Sequence, residues 1–391
     1  MSIQLASKYD PTQPFHQYYD LSAINNETSG LTAPVQFSMT QTRNNPYLMA
    51  PENYFMSVVR FTMQTPSLPV FIPQARIGQA DPNQTAYSLS IAFTYSGTEY
   101  ISQQYVTYVC SDITQPTPNP PTTGQDVSSE YYYVFNLQDW CKMVNTALIA
   151  SYTAVNTAVV GAGGVLPSNN IPFFEWNQQD QVFQLSADNA GYSSALGNPI
   201  KIYLNTGLYT LLNNFPIIKG NPSSSTGAYA NGKNYQFNFY NNNGLNLYNM
   251  GTYSVIQLYQ DNSTVGLFNP VQSIVFTSSL LPLVQGVIGN TKIYNFYNAP
   301  SQNNNTAPVI TDFVVPYSAT NQFRPNLEYT PSGEYRLIDL YGLTPLQAIE
   351  ITVQWRDMFG VFHPFLLNSG CSAQLKIMFR RKDFGNVPRL A

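Results

Sequence analysis

The chain consists largely of short segments in which aromatic and β-branched residues alternate, and each segment ends at Gly, Pro, Asn or Ser. The clearest pair is 87–95 and 100–109, separated by Ser96-Gly97-Thr98. Alternation with a period of two is typical of half-buried strands, and a short glycine-containing connection predicts a hairpin. Many short strands without a sequence repeat favour a sandwich or jelly roll over a propeller or solenoid. Further strand-like segments are 35–39, 54–63, 70–73, 173–185, 200–204, 235–240, 253–259, 271–277, 309–315, 335–340, 349–355 and 373–379.

One segment has helical periodicity instead. Asn136 is a predicted N-cap, and Asp139 falls in the first turn that would follow it. Apolar residues then recur at spacings of three and four: Leu137, Trp140, Cys141, Val144, Leu148 and Tyr152. We predict a long helix whose apolar stripe faces the protein core rather than a cofactor or a membrane.

The chain changes character at a loop with four prolines, 112–126, after which the helix and the Gly-, Ser- and Asn-rich loops cluster. We predict an N-terminal arm at 1–30, the first part of a jelly roll at 31–110, a mixed, loop-rich insertion domain at 111–264, and the second part of the jelly roll at 265–391. In this arrangement the two flanking parts pair with each other to form a single discontinuous sandwich.

Charged residues make up only 10% of the chain, against roughly 25% in ordinary soluble domains. Surfaces built from Tyr, Asn, Gln, Ser and Thr are easily buried against a partner, because no ion loses its water. Composition therefore fits either a subunit of an assembly or a secreted lectin-like or adhesive β-sandwich. The cysteines, Cys110, Cys141 and Cys371, have no metal or redox spacing, and the N-terminal sequence lacks the apolar run of a signal peptide. Both observations favour the first class, with three reduced and mostly buried thiols.

A glycoside hydrolase is the enzymatic alternative, with Glu175 and Asp180 beside Trp176 as its carboxylates. The two acids flank a predicted turn, where solvated carboxylates are common. The two histidines, His16 and His363, do not suffice for a histidine-rich metal site or a catalytic triad. We therefore predict no catalytic residues, no cofactor and no metal, and rank carbohydrate binding by surface tyrosines above catalysis.

The C-terminal third has a recognisable sequence: ITDFVVP at 310–316 and RPNLEYTPSGEYRLIDLYGLTPLQAIEITVQWRDMFGVFHPFLLNSGCSAQLKIMFRRK at 324–382. Together with 45–74, 137–152 and 268–281, it resembles the minor capsid, or penton, proteins of the virophage, polinton-like and adintovirus group, which are distantly adenovirus-like. The resemblance implies a jelly roll, five copies around an icosahedral vertex, and an insertion that points outward. The Arg-Gly-Asp attachment motif of adenoviral pentons does not occur here, so any host attachment would involve other loops.

Basic residues are concentrated at the C-terminus, although the formal net charge is −4. These residues are Lys376, Arg380, Arg381, Lys382 and Arg389. Strand alternation places Lys376, Met378, Arg380 and Lys382 on one face. We predict that the cluster meets an acidic partner, either a neighbouring capsid subunit or the genome; a solubilising tail is the alternative.

The expected partners are the chain itself, as a homopentamer, the neighbouring major capsid protein, and a host-cell receptor or glycan. Nucleic-acid contact is expected at most through the basic C-terminal residues, and no membrane span is expected. The expected location is the virion, assembled inside the host cell without secretion.

Overall fold

A computed structural model describes residues 15–26, 35–112, 115–123, 129–219, 232–283, 309–315, 326–330, 336–358 and 360–382. The chain divides into two compact units. Unit 1 comprises Met1–Leu68 and Val271–Ala391, and unit 2 comprises Pro69–Pro270.

The strands, in chain order, are β1 (His16–Ile24), β2 (Val35–Gln36), β3 (Ser38–Thr42), β4 (Tyr54–Gln64), β5 (Gln84–Tyr95), β6 (Thr98–Thr107), β7 (Phe173–Asn177), β8 (Val182–Asp188), β9 (Lys201–Leu204), β10 (Ile217–Lys219), β11 (Tyr235–Phe237), β12 (Leu247–Asn249), β13 (Ser254–Tyr259), β14 (Val271–Thr277), β15 (Val309–Val314), β16 (Asn326–Tyr329), β17 (Ile338–Asp339), β18 (Ala348–Asp357), β19 (Phe362–Pro364), β20 (Leu366–Leu367) and β21 (Ser372–Arg381). The α-helices are α1 (Leu137–Gly161), α2 (Asn189–Tyr192) and α3 (Thr206–Leu211). Short 3-10 turns occur at Pro51–Asn53, Glu130–Tyr132 and Val265–Leu267.

Unit 1 contains two five-stranded sheets that form a sandwich and a small two-stranded sheet, β2-β20, and the strand pairs among its described residues are antiparallel. The first sheet has the order β1-β21-β4-β16, with β17 also on β4, and the second has the order β15-β14-β18-β19, with β3 also on β18. The ring of Phe61, on β4, lies 5.4 Å from Phe276 and 4.9 Å from Phe313, on the opposite sheet. Both sheets combine strands from the two ends of the chain. The all-β, jelly-roll class is confirmed. Strands within 35–64 pair with strands from the C-terminal part of the chain.

Unit 2 has two sheets of its own, β10-β11-β9-β5-β6 and β12-β13-β8-β7, packed with α1 around one apolar core. The predicted β5–β6 hairpin is present, but its turn has two residues rather than three, because Thr98 already pairs with Tyr95. Ser96 and Gly97 both have positive φ, 48° and 82°, as a two-residue turn that follows strand twist requires. Glycine meets that requirement without a Cβ penalty.

Helix α1 confirms the predicted long helix. The Asn136 side chain accepts a hydrogen bond from the N–H of Gln138 at 2.7 Å, and the predicted apolar stripe is buried. Among the described residues, α1 is the one helix long and apolar enough for a membrane span by length and composition. Its stripe instead contributes Trp140 and Leu148 to the unit 2 core, both fully buried, as expected for a core helix.

Two boundaries differ from the prediction. The proposed N-terminal arm at 1–30 contains β1, which pairs along its full length with β21; residues 1–14 and 27–30 lie outside the described part. The first part of the jelly roll ends near Leu68 rather than at 110, because β5 pairs with β9 and β6 inside unit 2. Segment 70–73 forms only an isolated bridge, Phe71 to Val134, rather than a strand.

All three cysteines are free thiols, but only Cys141 is buried, whereas Cys110 and Cys371 are half-buried. The prediction that most of them are buried is therefore wrong. Burial, with a smaller contribution from the nearby Glu175 carboxylate, raises the pKa of Cys141 to about 12. This thiol is consequently protonated and unreactive at neutral pH.

Candidate functional site

The predicted basic cluster lies on and just beyond β21, the second strand of the first sheet in unit 1. Alternation along β21 buries one set of side chains in the sandwich: Ala373, Leu375, Ile377 and Phe379. Lys376 and Arg380 belong to the opposite, outer face and remain half-exposed. The predicted division of the strand into two faces is therefore observed, with Met378 an outer-face residue that is nevertheless buried.

Three charged residues stand in one row across the outer face of this sheet. Lys376 on β21 is in register with Asp20 on β1 and with Arg60 on β4. The Asp20 carboxylate forms ion pairs with both cations, with Lys376 Nζ at 3.4 Å and the Arg60 guanidinium at 3.5 Å. The Asp20 side chain is 59% exposed, so each ion pair stabilises the fold by about 1 kcal/mol at most.

Arg380 extends this positive region along the strand. Its guanidinium carbon lies 5.7 Å from the centre of the Phe15 ring, a cation–π contact. Among the described residues, Arg380 has no carboxylate within ion-pair distance. We call Arg60, Lys376, Arg380 and the carboxylate of Asp20, which pairs with the first two, the basic face. It carries three positive charges and one negative charge.

The last two predicted residues in the described part have a different role. Lys382 Nζ pairs with Asp339 at 2.8 Å and donates to the carbonyl oxygen of Leu340 at 3.2 Å, and its side chain is only 15% exposed. The backbone N–H groups of Arg381 and Lys382 donate to the carbonyl oxygens of Phe15 and Asn53. The end of β21 is thus hydrogen-bonded to the residues that directly precede β1 and β4. Arg389 lies outside the described residues.

Sequence inspection alone missed Arg60 and Asp20, two of the four residues of the basic face. Each is a lone charge within its own strand segment. They join Lys376 only through the antiparallel register of β1, β21 and β4. The predicted pairing of the two jelly-roll parts indicated that Arg60 could meet Lys376, whereas Asp20 was placed in the N-terminal arm.

The residues considered for catalysis form hydrogen bonds with neighbouring side chains. Glu175 accepts a hydrogen bond from Gln184 at 2.5 Å, and Asp180 accepts one from Asn177 at 2.8 Å. His363 is 1% exposed, lies on β19, and its Nε2 is 3.0 Å from Asp357 Oδ2. Its ring stacks on the Trp355 ring with centroids 4.1 Å apart. Within the described ranges, no group of three or more His, Cys, Asp or Glu residues could hold a metal ion.

Comparison with known proteins gives consistent results. The family model for the Sputnik minor capsid protein V18/19 matches residues 17–381. The uncharacterized protein V18 of Sputnik virophage is 34% identical over 173 residues, which cover 42% of this chain and 94% of V18. The structural protein V19 of the same virus is 26% identical over 213 residues, which cover 54% of this chain and 94% of V19.

Two solved structures share the fold. A chain in the 3.5 Å cryo-EM structure of the Sputnik virophage matches with a TM-score of 0.72 and 26% identity, covering 95% of this chain and 99% of that chain. The crystal structure of the mavirus penton protein matches with a TM-score of 0.60 and 16% identity, covering 94% and 100% respectively.

The fold and these matches define a structural, non-enzymatic protein of a viral capsid, located in the virion. Within that class it is a minor capsid protein. The chain belongs to the Sputnik minor capsid protein V18/19 family.

Proposed function

We propose that five copies of this chain close each five-fold vertex of an icosahedral shell, and that they are assembled inside the host cell without secretion. In this arrangement unit 1 contacts the neighbouring major capsid protein, and unit 2 is presented to the outside, where it is available for host attachment. The main support is the fold shared with the mavirus penton protein over 94% of the chain. The three free cysteines support synthesis in a reducing compartment.

The basic face supports a more specific proposal, namely that it contacts acidic groups of a neighbouring capsid subunit. The genome is the alternative partner. Non-specific affinity for nucleic acid depends on how many phosphates Lys and Arg neutralise. This face offers only Arg60, Lys376 and Arg380 and includes the carboxylate of Asp20. A small, partly neutralised group of cations is better suited to fixing the register of a protein–protein contact.

Native mass spectrometry of the purified full chain tests the vertex proposal. We expect a pentamer, and five-fold rings in electron micrographs of the same sample. A chain that stays monomeric at micromolar concentration and does not enter shells when mixed with major capsid protein would contradict it.

Charge reversal tests the basic face. Truncation after Phe379 is unsuitable, because it removes the N–H groups of Arg381 and Lys382 that fasten this end to Phe15 and Asn53. We expect the double substitution Arg60→Glu and Arg380→Glu to reduce incorporation into shells. Stability should change by about 1 kcal/mol or less, since the ion pair lost is exposed.

The matched control is Lys142→Glu, which reverses a 76% exposed cation in unit 2. It should leave incorporation unchanged. Raising the ionic strength to about 1 M, where the screening length falls to about 3 Å, should reproduce the defect in the unmodified protein. Normal incorporation of the double variant would rule out this role for the basic face.

A further inference from the structure

The four-stranded sheet of unit 2, β12-β13-β8-β7, has an outer face that the capsid role does not account for. Its side chains combine aromatic rings, amides and a carboxylate. We call this set the tyrosine face, and its members are Glu175, Gln184, Tyr248, Gln257 and Tyr259. Glu175 and Tyr248 are exposed, and the other three are half-exposed.

Strand register and hydrogen bonds hold these side chains in place. Glu175, Gln184 and Tyr259 stand opposite one another on β7, β8 and β13. Gln184 Nε2 donates to Glu175 Oε2 at 2.5 Å, and the Tyr259 hydroxyl donates to Gln257 Oε1 at 2.6 Å. The hydroxyl oxygen of Tyr248 lies 3.4 Å from that of Tyr259. Because each group is positioned by a neighbour, little side-chain entropy is lost when a ligand binds.

The charge of this region disfavours anionic ligands. Segments 173–188 and 247–259, which contain all four strands, have no Lys or Arg. Glu175 and Asp180 have no ion-pair partner among the described residues. The pKa of Tyr259 is raised to about 12, mainly by burial, then by the Tyr248 hydroxyl, and then by the charges of Asp180 and Glu175. The Tyr259 hydroxyl is protonated at neutral pH, and its proton is donated to Gln257 Oε1.

We propose that the tyrosine face binds a neutral oligosaccharide. A sugar ring has an apolar C–H face that can lie on a tyrosine ring, and its hydroxyls can pair with the amides of Gln184 and Gln257 and the carboxylate of Glu175. Sialylated or sulfated glycans would be repelled by the acidic groups. As a host-attachment site, this face rests on the proposed function, in which unit 2 is presented outside the shell.

Isothermal titration of the full chain with defined probes tests the proposal. The neutral probes are cellotetraose, chitotetraose and mannotetraose, and the anionic probe is 3′-sialyllactose. We expect saturable binding of at least one neutral probe and no binding of the anionic one. Tyr248→Ala and Tyr259→Ala should each weaken binding roughly three- to tenfold, the loss of one aromatic contact. Tyr259→Phe keeps the ring and should have a smaller effect.

The matched control is Tyr341→Ala, which removes a 50% exposed tyrosine from unit 1 and should leave the Kd unchanged. Circular dichroism and native mass, measured on the same samples, establish that each variant is folded and assembled. The proposal is overturned if no neutral probe binds at about 10 mM, if 3′-sialyllactose binds as well, or if the tyrosine variants match the control. A pentamer that fails to bind overturns this proposal alone, whereas a monomer that binds neutral sugar contradicts only the vertex function.

Discussion

The core of unit 1 depends on one aromatic residue in the middle of β4, Phe61. Its ring contacts Phe276 and Phe313 on the opposite sheet and stacks on Tyr329 with centroids 5.6 Å apart. Only 4% of Phe61 is exposed. Substituting Phe61→Ala therefore removes the contact through which the two halves of the sandwich pack at this point, and leaves a cavity between them.

The expected cost follows from that burial. Replacing a buried Phe by Ala costs about 3–5 kcal/mol, which includes the cavity left behind. For a domain of about 150–250 residues, 1 kcal/mol corresponds to roughly 2–4 °C in Tm, so we expect Tm to fall by roughly 6–20 °C. The control, Phe61→Leu, retains most of the volume and should cost about 1.5 kcal/mol or less.

Calorimetry measures the Tm, and hydrogen–deuterium exchange locates the effect. Peptides from β4 and β14 should lose protection in the alanine variant, whereas peptides from α1, in unit 2, should keep theirs. A Tm shift for Phe61→Ala no larger than that for Phe61→Leu would refute the view that this ring holds the two sheets together.

Three further predictions follow from individual contacts. Asn136→Ala should destabilise the first turn of α1 by about 1 kcal/mol, seen as faster amide exchange there, whereas Asn136→Asp keeps the acceptor and should not. Because burial raises the pKa of Cys141 to about 12, Cys141 should resist iodoacetamide at pH 8 until the protein is denatured. The half-buried Cys371 should react first. Rapid labelling of Cys141 in the native protein would contradict its burial. Burial raises the pKa of Tyr87 and of Tyr203 to about 12 from 10.0, so the folded state keeps protons that the unfolded state loses, and the free energy of unfolding should fall as pH rises above 10. Tyr87→Phe should reduce that slope in denaturant titrations, and an unchanged slope would contradict the assignment.

Local sequence patterns predicted the strands and the helix whose own residues alternate or recur at regular spacing. Strand β14 coincides with the predicted 271–277, and α1 begins after the predicted N-cap. The resemblance of the C-terminal third to penton proteins identified the class of protein. β1 was not predicted, because its side chains are mostly exposed and it depends on pairing with β21. An edge strand of this kind has too little buried surface to leave an alternating pattern.

The sequence by itself determined the all-β class, the long helix and the basic character of β21. These properties follow from residue periodicity and composition, which are local, whereas the structural role was implied by the resemblance to penton proteins. Only the tertiary structure decided that Asp20 and Arg60 join Lys376, that Lys382 is neutralised by Asp339, and that β5 belongs to unit 2. Each of these depends on strand register between distant segments, and register is set by which faces are buried together when the sheets pack.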